Sequence, residues 1–125
     1  MTNKLPANHQ AVMPYLILDD AQRFIEFTQT VFGASLLTRH MREDGQAIMH
    51  AEISIGGCTI MFGEATPEWK AATAGLFIYV DDADKVYAAA LANSATSVMP
   101  VMDKDYGRTC GVMDPTGNTW WITAR

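Results

Sequence analysis

Asp114-Pro115-Thr116-Gly117-Asn118-Thr119-Trp120-Trp121-Ile122 closes the chain and decides how the rest is read. Asp-Pro followed by Thr-Gly is turn chemistry: Pro115 fixes φ and Gly117 supplies a positive φ. The residues after it read as a strand, and neighbouring strand residues face opposite ways. One of Trp120 and Trp121 therefore faces a buried core, and the other faces a different surface.

Working back from that turn, the same pattern occurs twice. Moving Leu18-Asp19-Asp20-Ala21 by 62 positions lands on Val80-Asp81-Asp82-Ala83. Moving Gly57-Cys58-Thr59-Ile60-Met61-Phe62 by 60 lands on Gly117-Asn118-Thr119-Trp120-Trp121-Ile122. Between these anchors lie strand-like runs at 12–18, 35–41, 46–55 and 58–63, then 76–80, 98–102, 108–113 and 119–123. Asp19-Asp20 caps a helix ending near Phe32 at Gly33, and Asp81-Asp82 caps an Ala-rich helix over 83–92. Each half reads β-α-β-β-β. Neither half buries its sheet face alone, so the two are expected to form one α+β domain over 1–125. Its modules span about 11–63 and 75–125, joined by a linker at 64–74; residues 1–10 form a polar arm.

Composition bounds the rest. A chain of 125 residues with 49% hydrophobic and 18% charged content suits one folded domain with a real core. The net charge of −5 and the absence of a basic cluster argue against nucleic acid. No run is long enough to span a membrane, and the start lacks the apolar core of a signal peptide. Cys58 and Cys110 are too few for a disulfide scaffold, which points to a cytoplasmic protein with reduced thiols.

Strand alternation sorts the faces. Leu16 and Leu18, Met49, Ala51, Ile53 and Ile55, Ile60 and Phe62, Leu76 and Ile78, Trp120 and Ile122 form a uniformly apolar set expected to lie under the helices. The opposite set includes Met13, Tyr15, His50, Glu52, Met61, Phe77, Tyr79 and Trp121. Aromatic groups mixed with a few polar ones suit a ligand cavity better than a solvated sheet. The plainer alternative is that these aromatics simply fill the core.

Tyr15-Leu-Ile-Leu-Asp-Asp-Ala, Val31-Phe-Gly-Ala, His50-Ala-Glu-Ile-Ser-Ile-Gly-Gly, Tyr79-Val-Asp-Asp-Ala-Asp, Tyr106-Gly-Arg and Asp114-Pro-Thr-Gly-Asn-Thr-Trp carry a further likeness. Over about 12–125 the chain resembles the vicinal oxygen chelate superfamily of glyoxalases, bleomycin-resistance proteins and extradiol dioxygenases, and especially its PhnB-like and bleomycin-resistance-like members. The resemblance implies two βαβββ modules whose mixed sheets curl around a central cavity, commonly in a homodimer. It also implies metal ligands on the first and fourth strands of each module. Those positions fall on Met13, Met61, Gly75 and Trp121, none of which offers a hard oxygen donor or an imidazole. No standard metal site and no cofactor are therefore expected.

Two functional readings follow. In the first, the chain binds a small organic molecule without turning it over. Met13, Tyr15, Met61, Trp69, Phe77, Tyr79, Arg108 and Trp121 would line the cavity, with Trp69 as a lid and Arg108 for an anionic group. The net acidity favours an amphipathic aromatic or cationic compound, as in antibiotic-resistance proteins that sequester basic drugs. In the second, the chain is an enzyme of lyase or dioxygenase type centred on His50 and Glu52. These share a strand face about 6.5–7 Å apart, close enough for a base and its orienting carboxylate or for part of an unusual metal site. The alternative for the pair is a satisfied histidine that orients the sheet. His9, in the arm, and His40, in a strand expected at an edge, carry less information.

Overall fold

The computed structural model describes residues 4–125; the first three residues of the arm lie outside the described residues. The order is β1 (Tyr15–Leu18), α1 (Ala21–Phe32), β2 (Ser35–Met41), β3 (Ile48–Ile55), β4 (Cys58–Glu64), β5 (Gly75–Tyr79), α2 (Ala83–Ala92), β6 (Thr96–Lys104), β7 (Gly107–Met113) and β8 (Thr119–Ala124). Both halves are βαβββ, as the repeat requires. β1 starts three residues later than expected, because Pro14 has no N–H to give a ladder and Val12 stands in solvent.

Local signals set the helices. The Asp20 side chain accepts the Arg23 N–H at 3.1 Å and begins α1; Gly33, at φ 69°, ends it. Phe24, Ile25, Phe27, Thr28 and Val31 form its buried stripe. Asp82 accepts the Lys85 N–H in the same way and begins α2. That helix is built largely from alanine, and only Ala83 and Ala90 are fully buried.

Among the described residues the strands form two four-stranded mixed sheets, β1-β4-β3-β2 and β5-β8-β7-β6, and no closed barrel. Equivalent strands keep equivalent register. Tyr15 lies opposite Met61 in the parallel pair β1·β4, and Phe77 lies opposite Trp121 in the parallel pair β5·β8. β2 is an edge strand, as expected for His40. The outer edge of β1 is covered by the linker: Ile17 and Ala72 exchange backbone hydrogen bonds of 3.1 and 2.8 Å.

One core runs through both modules. Trp120, fully buried on β8, packs on Phe32 and Phe24 of α1 with ring centroids 4.5 and 6.4 Å away. The expected apolar set is buried at Leu16, Leu18, Ala51, Ile53, Ile60, Phe62, Trp120 and Ile122. Met49 is a correction. His40 pairs with His50 and Met41 with Ile48, so β3 carries one extra residue at Met49. This bulge turns Ile48 into the core (2% exposed) and Met49 out of it (55% exposed).

Candidate functional site

The uncovered face of the first sheet brings together residues from four segments. Tyr15 and Met61 are lateral neighbours, and Met61 in turn lies beside Glu52. His50 Nε2 is 2.8 Å from Glu52 Oε2, and the Tyr15 hydroxyl is 3.3 Å from His50 Nδ1. His9 Nε2 reaches the other carboxylate oxygen, Glu52 Oε1, also at 2.8 Å. Burial tends to raise the Glu52 pKa, but the hydrogen bonds from His50 and His9 outweigh it and hold the carboxyl below its ordinary value. An ionised carboxylate only accepts hydrogen bonds. Nε2 of His50 therefore donates to Glu52, and in the neutral imidazole Nδ1 accepts from Tyr15 O–H.

The arm is fixed across the same face. The Gln10 amide donates to the Thr59 carbonyl at 2.8 Å, and the Thr59 hydroxyl donates to the Asn8 carbonyl. Met13 Sδ accepts the Gln10 N–H at 3.4 Å. His9 thus belongs to the cluster, a role its place in a polar arm does not advertise.

Beside Tyr15 lies a pocket of about 530 Å³. Ile17, Arg42, Met49, Gly63, Glu64, Thr66 and Trp69 complete its walls. Gly63 is required there, since a Cβ would stand 2.6 Å from the Met49 carbonyl oxygen. Trp69 is held over the pocket by a turn in which its N–H donates to Thr66 Oγ1 and its carbonyl accepts the Thr66 N–H, both at 2.8 Å. Arg42 donates to the Glu64 carbonyl. Among the described residues it makes no ion pair.

The second sheet presents aromatics. Phe77 and Tyr79 meet edge to face at 5.2 Å, and Tyr106 lies 6.5 Å from Phe77. Phe77 and Tyr79 are 51% and 64% exposed. They border an apolar groove of about 360 Å³ that also touches Pro14, Ile60 and Trp120. Trp121 lies across Gly111, where a Cβ would stand 2.5 Å from the indole ring.

The eight residues expected to line one cavity are therefore divided. Tyr15 and Trp69 share the first pocket, and Phe77 and Tyr79 share the groove. Arg108 is a correction. Strand parity puts it on the helix side with Cys110 and Val112, where it forms a two-pronged pair with Asp84 at 2.6 and 3.0 Å and reaches Asp103 at 3.0 Å. Cys110 is buried, and burial, with the charge of Asp84 adding, pushes its thiol up to about 11. The positions that the resemblance assigns to metal ligands, Met13, Met61, Gly75 and Trp121, hold two thioethers, a glycine and an indole. That donor set does not fit a metal that takes oxygen and imidazole ligands.

Arg42 and Met49 were not predicted for the site. Arg42 gives no signal beyond lying before the Asp44-Gly45 turn. Met49 reaches the pocket only because of the bulge.

The sequence matches the family profile of the Glyoxalase/Bleomycin resistance protein/Dioxygenase superfamily over residues 8–122. It is 33% identical over 122 residues to an uncharacterised protein of Mycobacterium bovis, covering 88% of this chain and 80% of that one. The fold is similar to that of TioX from Micromonospora sp. ML1, with a TM-score of 0.74, 25% identity and coverage of 93% and 98% of the two chains. It is also similar to a PhnB protein from Bacillus cereus, with a TM-score of 0.72, 15% identity and coverage of 93% and 100%.

Proposed function

Because the chain belongs to the glyoxalase/bleomycin resistance protein/dioxygenase superfamily, we propose that it binds a small amphipathic aromatic molecule without the superfamily's usual metal. The observation that carries this reading is the pocket of about 530 Å³ in which Tyr15, on β1, and Trp69, on the linker turn, stand open to solvent. That volume lies within the range of small-molecule sites, and an aromatic contact adds about 0.5–1.5 kcal/mol beyond burial.

Exposed aromatics on the second sheet support a homodimer. Phe77, Tyr79 and Tyr106 form a contiguous apolar surface that a second copy would cover. Two free thiols fit a reducing, cytoplasmic setting.

Titration of Trp fluorescence with a panel of amphipathic aromatic amines and acids tests the binding reading. At least one compound should quench saturably, and Trp69→Phe should remove most of that response. A flat titration across the panel would overturn the proposal.

A second reading, catalysis centred on His50 and Glu52, is favoured by one observation. Glu52 fixes the His50 tautomer and leaves Nδ1 facing a hydroxyl at the pocket wall.

A further inference from the structure

We propose that the pocket beside Tyr15 is a proton-transfer site for a small aryl acid that carries an acidic C–H next to a carbonyl, with Tyr15 as the group that moves the proton. The inference deepens the binding reading of the same pocket and rests on it. Three features of the wall define the substrate class. Arg42 gives one N–H to the Glu64 carbonyl and makes no ion pair among the described residues, while the Glu64 carboxylate accepts the Ala21 N–H at 3.4 Å; the remaining guanidinium N–H groups can receive a substrate carboxylate. Trp69 and Met49 supply a flat and an adaptable apolar surface for an aryl group. Tyr15 supplies the only side-chain hydroxyl of the wall that is tied to a base: Thr66, the other hydroxyl, is engaged by the Trp69 N–H.

The hydrogen-bonded chain sets the direction of transfer. Tyr15 O–H gives its proton to His50 Nδ1, which becomes an imidazolium whose Nε2–H already points at the Glu52 carboxylate. The phenolate oxygen then takes the proton from the substrate carbon. The C–H bond breaks, and its electron pair forms the enolate double bond and leaves the charge on oxygen. Arg42, on the carboxylate, offsets the second negative charge that this creates. Tyr15 passes the captured proton to the enolate oxygen, and His50 returns its own to Tyr15. The net change is keto to enol, with no oxidant, reductant or co-reactant. His50 and Glu52 act through Tyr15 and are positioning residues in this step. His9, on the second oxygen of Glu52, ties the arm to the same carboxylate.

Phenylpyruvate is a suitable probe, because it joins an aryl ring, an acidic CH₂, a carbonyl and a carboxylate. Proton NMR in D₂O follows loss of its C3 protons, and Trp quenching follows its binding. The protein should accelerate C3 exchange at least ~10-fold over buffer. Tyr15→Phe should lower the protein-dependent rate by ~100-fold or more, the scale of one general acid–base group, while changing the dissociation constant less than about threefold. Arg42→Met should weaken binding by about tenfold, the scale of a charge-assisted pair. Exchange in Tyr15→Phe at the wild-type rate would overturn the proposal. So would phenylpyruvate binding without accelerated exchange, an outcome that leaves the binding reading standing. Saturable quenching by an aromatic amine with none by phenylpyruvate would also reject the acid-specific site and keep the general one. Silence from both compounds would remove both.

Discussion

The indole N–H of Trp120 donates to Asp114 Oδ2 at 2.8 Å, six residues back along the chain, and both side chains are buried. The same carboxylate accepts from the Thr116 N–H and hydroxyl, the Asn118 N–H and the Asn118 side-chain amide at 2.7–3.1 Å. Asn118 in turn accepts the Ala74 N–H at 2.9 Å, which anchors the end of the linker to β8. One aspartate thus fixes the turn, the linker and the large side chain that joins the second sheet to α1.

Removing that carboxylate should be costly. Asp114→Ala strands several buried donors, each worth about 1–3 kcal/mol when unpaired. Urea unfolding should show a loss of at least ~3 kcal/mol, and Asp114→Asn, which keeps one acceptor, should lose less. A midpoint for Asp114→Ala within error of wild type would refute this role.

Gly111 is fixed by the ring across it. In Gly111→Ala the new methyl must displace Trp121, because the two would otherwise be 2.5 Å apart. Overpacking of this kind costs about 1–3 kcal/mol. Thermal unfolding should record that loss, and the Trp emission maximum should shift as the indole leaves its seat. An unshifted spectrum with unchanged stability would show that the ring moves freely.

Acid should release the arm first. The Glu52 carboxyl has a lower pKa folded than unfolded, where its ordinary value is 4.5. Its contribution is therefore complete above pH 4.5 and fades as pH falls through the lower folded value. Amide protection around Gln10 and Thr59, taken relative to the intrinsic exchange rate at each pH, should fall over that acid range. In Glu52→Gln this pH dependence should be largely absent; an identical acid profile would disconnect Glu52 from the arm.

The aromatic surface of the second sheet gives the proposed dimer a direct test. A charge placed at the centre of an apolar interface is buried without a partner and weakens association strongly. Phe77→Glu should sediment as a monomer at concentrations where wild type is a dimer, with the far-UV spectrum unchanged because Phe77 is half exposed in the single chain. A wild-type chain that sediments as a monomer, or a variant that stays dimeric, would remove Phe77 from any interface.

Most of the architecture was legible because it depends on local chemistry. Asp20 and Asp82 cap their helices, Gly33 ends the first, and Gly117 takes its positive φ of 97°. Strand parity alone separated Trp120, buried under α1, from Trp121, and the two repeats paired in matching register. The same parity failed at Met49, since a bulge is a property of two paired strands and one strand's alternation does not reveal it. Arg108 lies on the helix side by the same parity that buries Cys110 and Val112, and Asp84, 24 residues away, receives it there.

What the sequence determined by itself was the order of elements, the doubling of βαβββ and the buried faces apart from Met49; that Met13, Met61, Gly75 and Trp121 take the place of metal ligands is what the family resemblance implies. Caps, turns and alternation act over one to four residues, so they can be read along the chain. Tertiary structure decided which polar groups meet. His9 and Glu52 are 43 residues apart, Tyr15 and His50 are 35 apart, and Arg42 joins Tyr15 at one pocket wall only after β2 has paired with β3. Such contacts follow from sheet register and from the path of the arm, and those are fixed by burying one shared core.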